Sequence, residues 1–490
     1  MRIRRAFVMI GAAALAFSVV GPVRAQAACS TADAPWPQYA GPGMGGRHQT
    51  DTTVTAENAG TLERRWFINT SVIGGGEINN TPIVARGCIV VATSNGSIAA
   101  INENGAVLWS YRASVTGGSG LGGTIVGSPA VVDDKVIVAV GQKTTPYVVA
   151  LNLATGALVW QRTVDNHPGN FLSASPVIAG DLLFVGISGD EYGATARGGY
   201  VLLDVADGSI KAFRRTIGDA EYAAGYRGAS IWASGSYHDG FVYVGSGNPA
   251  SKTKEHRYSN SLLKIDVRPG SPTFAEIVAA YKGNVDQYYP GLERQPACDT
   301  LGDRQPNLPQ YPWSLFCVQF DIDFGASPNL WHDQFGNLVV GSLQKSGVFH
   351  SVYADNMQLA WSTVVPGAPC FVCNASSSAT DGDGVYVAGS PGSVLTALSA
   401  NAGRYRWALP LADGIHFQSV SVAKGVVYTV TSHGLFMAVD ARSGVPLSVK
   451  SFRRETGASG SALSSSGISI AGNTVYAPSG QVLMALSPTA

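Results

Sequence analysis

Eight times along its 490 residues the chain repeats an apolar pair, a polar turn carrying glycine or a stand-in, and often a tryptophan after it. The series opens at Ala100-Ile101-Asn102 with Gly105 and Trp109, and returns at Ala150-Leu151-Asn152 with Thr155, Gly156 and Trp160. Weaker copies stand at Leu203-Asp204 with Gly208, Ile265-Asp266 with Gly270, and Val352-Tyr353 with Trp361. Ala397-Leu398 with Gly403 and Trp407, Ala438-Val439-Asp440 with Gly444, and a terminal Ala485-Leu486 complete it. The intervals are roughly 40–60 residues with one near 90, the length that a four-stranded blade requires. The reading is all-β: an eight-bladed β-propeller of four-stranded antiparallel blades.

Between these markers, short apolar runs alternate with Gly/Asp turns: Cys88–Ala92, Val136–Val140, Leu182–Gly186, Phe241–Gly245, Leu338–Gly341, Val385–Ala388, Val426–Val430 and Thr474–Ala477. Hairpins of this kind bury no face alone and must stack. A β-solenoid or stacked sandwiches would also supply many short strands, but a tryptophan returning after the turn favours blades, because its ring can dock on the next sheet. The stretch from Trp36 to Phe67 is expected to supply the strand that closes the ring with the C-terminus. Residues 216–230 and 283–320 break the period; insertions of this length are lids or disordered loops, and the expected Cys298–Cys317 disulfide favours an ordered lid.

Arg2, Arg4 and Arg5 precede an apolar run from Ala6 to Gly21 that ends at Ala25-Gln26-Ala27, a small-x-small cleavage site. Residues 1–27 therefore read as a signal peptide and 28–490 as one propeller domain, periplasmic or secreted, with no membrane span. Lysine plus arginine equals aspartate plus glutamate at 33 each, which leaves no basic footprint for nucleic acid. Six cysteines in an exported chain point to disulfides. Local proximity pairs Cys298 with Cys317 and Cys370 with Cys373, and lets Cys29 reach Cys88. Cys373 is followed by Asn374 rather than histidine, so no c-type haem is attached and electrons must leave by another protein.

Three oxygen-bearing residues stand at comparable points of neighbouring blades. Glu191 follows the Ser188-Gly189 turn, Asn248 follows Gly245-Ser246-Gly247, and Asp321 precedes Ser327–Trp331 with Asp323 two residues on. Converging at one mouth of the axis, they would suit a hard cation such as Ca²⁺; taken singly, an acidic residue after a strand is more often a turn former.

Ordered along the chain, Ser173-Ala174-Ser175-Pro176, Ile187-Ser188-Gly189-Asp190-Glu191, Trp232, Gly245-Ser246-Gly247-Asn248-Pro249, Asp321 to Pro328 and Gln344-Lys345-Ser346-Gly347 resemble the pyrroloquinoline quinone (PQQ)-dependent alcohol dehydrogenases, most closely their polyvinyl alcohol dehydrogenase-like branch. The resemblance implies a tryptophan floor under the quinone at Trp232, cofactor contacts from Ser173, Ser188, Gly189, Lys345 and Asn374, and metal ligation by Glu191, Asn248 and Asp321. Asp321 would take the alcohol proton and Lys345 would stabilise charge on the reduced quinone. Asp323 adds a metal ligand, which favours a lanthanide over Ca²⁺, or caps a turn. The expected activity is oxidation of a secondary alcohol or polyvinyl alcohol-like polymer, with a separate cytochrome c accepting electrons.

Departures from the family pattern fall on the substrate side. An adjacent Cys-Cys pair is lacking, and Cys370-Phe371-Val372-Cys373 lies in a different blade. A fused haem domain is absent from the sequence. Two rivals stay open: a non-catalytic propeller serving as a periplasmic binding or assembly scaffold, and a polysaccharide lyase or glycosidase built on paired carboxylates. Taken alone, Trp232 reads as blade packing and Lys345 as a solvated lysine.

Overall fold

The computed structural model describes residues 29, 33–114, 124–143, 145–189, 195–251, 254–283, 322–366, 374–390, 392–412, 414–460 and 465–489. Among these residues the strands form eight sheets, numbered here as blades 1–8 along the chain. Blade 1 consists of Ile83–Ala85, Cys88–Ala92, Ser97–Asn102 and Val107–Arg112, and every later blade repeats this antiparallel meander. Blade 8 differs in its ends: Ser469–Ala471, Thr474–Ser479 and Val482–Pro488 are completed on the outer edge by Leu62–Asn69 from the start of the chain. The ring is thus closed by backbone hydrogen bonds between its two termini.

Second and third strands are buried on both faces, as in Cys88–Ala92 and Leu182–Ile187, while outer strands such as Leu158–Thr163 alternate and face solvent. That gradient follows from the stacking, since each inner sheet surface is covered by a neighbour. A bulge interrupts the pairing of third and fourth strands in every blade, and in five blades the residue beside it is tryptophan: Trp66, Trp109, Trp160, Trp361 and Trp407. The indole of Trp109 donates to the carbonyl of Leu153 in blade 2 at 2.7 Å, and that of Trp407 to Ala441 in blade 7 at 2.9 Å. Beneath the Trp109 ring lies Gly156 at φ +71°, where a Cβ would come within 2.6 Å of the indole. Glycine after the turn and tryptophan after the glycine are therefore two halves of one joint, made between successive blades. Where tryptophan is missing, other donors bridge the same gap: Tyr200 to the carbonyl of Ala275, and the ammonium of Lys264 to that of Ala354.

One layer further in, the residue two before each first strand is a hydroxyl in seven of eight blades, Gly467 being the exception. Backbone N–H groups of Thr81, Ser128, Ser175 and Ser327 donate to the hydroxyls of Ser128, Ser175, Ser234 and Ser377 in the following blades, at 2.8–2.9 Å. At the glycine, the guanidinium of Arg47 takes the missing place. It donates to Thr81 Oγ1 and Ser421 Oγ and to the carbonyls of Val420 and Tyr39, and a Cβ on Gly467 would lie 2.2 Å from its Nη2. Burial pulls this guanidinium down to about 10, so it remains charged at neutral pH, lying over the rings of Tyr39 and Trp36.

Arg47 belongs to a segment that crosses the first strands of all eight blades in order. Trp36 pairs with Val84, Pro37 accepts from Val131, and the Gln38 side chain accepts from Ile178. Gly45 packs against Ser236 and accepts from Asn329, Gly46 accepts from Thr380, Arg47 from Val422, and Gln49 donates to the carbonyl of Ile470. This strap covers one end of the axis. It is tethered by the Cys29–Cys88 disulfide, whose Cα atoms stand 5.4 Å apart and which realises the pairing considered from sequence. Closing that 59-residue separation contributes about 4 kcal/mol by loop entropy. The expected leader, the pairs Cys298/Cys317 and Cys370/Cys373, and most of the 283–320 lid lie outside the described residues. Part of the 216–230 stretch forms a short helix, Asp219–Ala223.

The strap and the hydroxyl ring predict that Arg47→Ala lowers stability by at least about 3 kcal/mol, because it opens a cavity and strips donors from buried acceptors. Thermal unfolding of the purified protein checks this, with Lys424→Ala as a surface control.

Candidate functional site

At the end of the axis opposite the strap, each first strand begins and each second strand ends, so residues flanking those points converge there. In blade 3, Phe171 and Ser188 exchange backbone hydrogen bonds across the mouth, which brings Ser173 Oγ to 2.6 Å from Ser188 Oγ. Ser173 also donates to the carbonyl of Trp232 at 3.1 Å and so joins blade 3 to blade 4. The Trp232 indole N–H donates to Asp323 Oδ2 at 2.7 Å. Asp323 Oδ1 lies 2.9 Å from the ammonium of Lys345, which stands 4.8 Å from the Trp232 ring centroid. Lys345 continues the line, since its carbonyl accepts from the Asn374 amide at 3.1 Å, and Asn374 Oδ1 accepts from Ser390 N–H at 2.7 Å.

Ser188, Ser173, Trp232, Asp323, Lys345 and Asn374 therefore form one hydrogen-bonded line over blades 3 to 6. Asp323 is 0% exposed and Lys345 5%, so the ion pair is held out of water. Lys345 follows the second strand of blade 5, Leu338–Leu343, and its own N–H donates to the carbonyl of Asp323, which fixes both backbones. Asn248, following Phe241–Gly245, is buried at the same mouth with its carbonyl accepting from Ala229. Gly189 lies against Asn170, whose Oδ1 is 3.2 Å from where a Cβ would stand. Glu191 and Asp321 lie outside the described residues. Among the described residues no three His, Cys, Asp or Glu side chains are grouped to hold a metal ion.

Three supports escaped sequence reasoning. Gly325 lies beneath Trp232, and a Cβ there would come within 2.5 Å of the indole, so only glycine lets the ring lie against the chain. Asp165, 6% exposed, takes both arms of Arg215 at 2.7 Å and the Asn170 amide at 2.7 Å. Burial alone would raise its carboxyl, but these hydrogen bonds and the Arg215 charge outweigh burial and hold it below the usual range. His350, 3% exposed, stands between Tyr281 Oη at 3.0 Å and Gln344 Oε1 at 3.3 Å, with the Phe324 ring edge-on. The first of these was visible only as a Gly-Ala-Ser-Pro turn. The others pair residues from different strands or blades and leave no local pattern.

The family model described as outer membrane protein assembly factor BamB matches residues 49–271 and 336–489. A polyvinylalcohol dehydrogenase from a Pseudomonas species is 26% identical over 485 residues, covering 89% of this chain and 71% of that protein. Among solved structures, the quinohemoprotein alcohol dehydrogenase from Comamonas testosteroni superposes with a TM-score of 0.69 at 17% identity, covering 93% of this chain and 81% of that one. BamB from Moraxella catarrhalis superposes with a TM-score of 0.56 at 12% identity, over 87% and 99% of the two chains. The eight-bladed propeller and the resemblance to quinone-dependent alcohol dehydrogenases are both borne out. No helix among the described residues is long and apolar enough to cross a membrane.

Burial holds His350 down to about 4, against an ordinary value of 6.5. The unfolded chain therefore takes up this proton first, and the stability tied to the neutral imidazole is intact above pH 6.5 and is lost as pH falls toward 4. The melting temperature of wild type should fall more steeply across that window than that of His350→Gln, as calorimetry at a series of pH values would measure.

Proposed function

We propose, for a chain that belongs to the PQQ_2 family of outer membrane protein assembly factor BamB, that its chemistry is that of a PQQ-dependent alcohol dehydrogenase. Its substrate on this reading is a secondary alcohol or a polyvinyl alcohol-like polymer, and its electrons pass to a separate cytochrome c after export to the periplasm. The observation that carries the reading is the buried ion pair of Asp323 and Lys345 set against the Trp232 ring.

The described residues fit the group. PQQ is flat and carries three carboxylates, so it calls for an aromatic face, a cation at its edge and several hydrogen-bond donors. Trp232 over Gly325 offers the face, Lys345 the cation, and Ser173, Ser188 and Asn374 hydroxyl and amide groups along the same line. Gly189 leads the chain past this line without a side chain. Glu191, Asn248 and Asp321 would hold Ca²⁺, whose charge polarises an oxygen of the bound quinone. When bound, the quinone supplies the oxidation, accepting a hydride from the carbinol carbon and later releasing two electrons.

What the chain contributes is position and field. Asp321 takes the hydroxyl proton as the carbon–hydrogen bond breaks, and the substrate becomes a ketone or aldehyde. Lys345 keeps a positive charge at the edge of the Trp232 face, where negative charge grows. On this reading an alcohol or a polymer loop enters at the end of the axis opposite the strap.

A scaffold reading is favoured by the description of the family model and by the similarity to BamB. Against it stands the cost of burying an aspartate–lysine pair at a mouth where surface binding has no use for it.

Asp321→Ala should lower dye-linked alcohol oxidation by about 10²–10⁴-fold with unchanged circular dichroism. Titration of apo-protein with PQQ in the presence of Ca²⁺, and then La³⁺, should give stoichiometric binding. No uptake with either ion, or full activity in Asp321→Ala, counts against the dehydrogenase.

A further inference from the structure

We infer that Asp323 is a positioning residue, the clasp that fixes the Trp232 ring and the Lys345 ammonium in one geometry, and that it is not a metal ligand. The inference rests on the proposed function and concerns what this carboxylate does within it. Both of its oxygens are engaged by donors below 3 Å: Oδ1 by the Lys345 ammonium and Oδ2 by the Trp232 indole. The side chain is fully buried, and its backbone carbonyl accepts from Lys345 N–H at 3.0 Å, so aspartate and lysine are joined at both backbone and side chain.

Recruiting this carboxylate to a cation would bring a metal charge close to a buried ammonium that stands 2.9 Å from the same carboxylate, and repulsion between the two cations at low dielectric opposes it. As a clasp, the same carboxylate has a clear effect. An indole bound at Nε1 cannot rotate about its side-chain torsions, and Gly325 closes the space below it. The ammonium stands 2.9 Å from Asp323 Oδ1 and 4.8 Å from the centroid of the ring, so its charge is held at the edge of the aromatic face. The orientation of the aromatic face and the location of the cation are then set before any ligand arrives, which is the condition for electrostatic preorganisation.

The test uses the full-length protein labelled with ¹⁵N-tryptophan. The Trp232 indole N–H signal, identified by its absence in Trp232→Phe, should lie downfield in the apo-protein because it donates to a carboxylate. It should keep much of that shift in Asp323→Asn, where an amide oxygen still accepts, and lose it in Asp323→Ala. With PQQ present, Asp323→Asn should bind Ca²⁺ within about twofold of wild type by calorimetry, while kcat falls about 100-fold at nearly constant KM. A Trp232 signal that ignores Asp323→Ala overturns the clasp. So does a tenfold or greater loss of Ca²⁺ affinity in Asp323→Asn, which would make Asp323 a ligand. If Asp323→Ala fails to fold, the Asp323→Asn signal and its Ca²⁺ affinity decide the matter. Wild-type protein that takes up no quinone refutes the dehydrogenase alone, since the indole signal reads the clasp in the apo-protein.

Discussion

The ring depends on the seam where the two ends of the chain meet in one ladder of backbone hydrogen bonds. Every other blade takes its four antiparallel strands from one uninterrupted stretch of chain and is joined to its neighbours by side chains, by the hydroxyl relay and by backbone bonds such as that from Ile231 N–H to the carbonyl of Ile187. Blade 8 alone takes one of its four antiparallel strands from the other end of the chain, with Leu62–Asn69 laid on Val482–Pro488, while blade 7 carries His48–Gln49 as a parallel fifth strand on Ser421–Ala423. If that pairing is lost, the outer edge of one blade is bare and the circle has a free break. The strap across the first strands is then left to hold the remaining joints in closed geometry. Because the seam is a ladder of main-chain bonds, it tolerates a wide choice of side chains, and the expectation that the stretch from Trp36 to Phe67 supplies its strand rests on the repeat count and not on a motif of its own.

The axis has two unlike ends. On one, the strap from Trp36 to Thr53 passes under the first strands of successive blades and sends Tyr39 and Arg47 into the centre. Tyr39 reaches the hydroxyls of Ser377 and Ser419, and Arg47 occupies the gap that Gly467 leaves. On the other, the polar line from Ser188 to Asn374 spans blades 3 to 6 with its ion pair buried. One hydroxyl ring separates the two, so the packing that stabilises the closed end also spaces the blades that carry the site. Arg47 is charged, central and held by two carbonyls, two hydroxyls and two aromatic faces, so the fold directs its guanidinium on every side that these four hydrogen bonds reach.

Much of this architecture was legible along the chain because its code is local. The Gly156-to-Trp160 spacing repeats within a hairpin, and the glycine and tryptophan obey the same geometry wherever they recur. Strand positions such as Cys88–Ala92 and Phe241–Gly245 coincide with those read from apolar runs. Blades 3 and 4 were fainter because Tyr200 and Lys264, residues of other chemical type, donate where an indole donates elsewhere. The site was legible in its members and not in its bonds. Trp232 and Asp323 are 91 residues apart, and nothing in either neighbourhood says that one donates to the other. Lys345, which alone resembles a solvated lysine, is buried because its backbone is tied to Asp323. Arg47 lay in a stretch read only as a source of the closing strand, and its role depends on a glycine more than 400 residues later.

The strap has a consequence for how such a chain reaches its native state. Its residues are made first, yet their partners are spread over all eight blades, and Gln49 and Thr53 wait for Ile470 and Gly472 near the other terminus. Contacts so distant in sequence form late, because the intervening loop must be closed before they return any free energy. The segment that seals the axis is therefore born early and docked last. Until then, water reaches the polar interior from the end that the strap will cover.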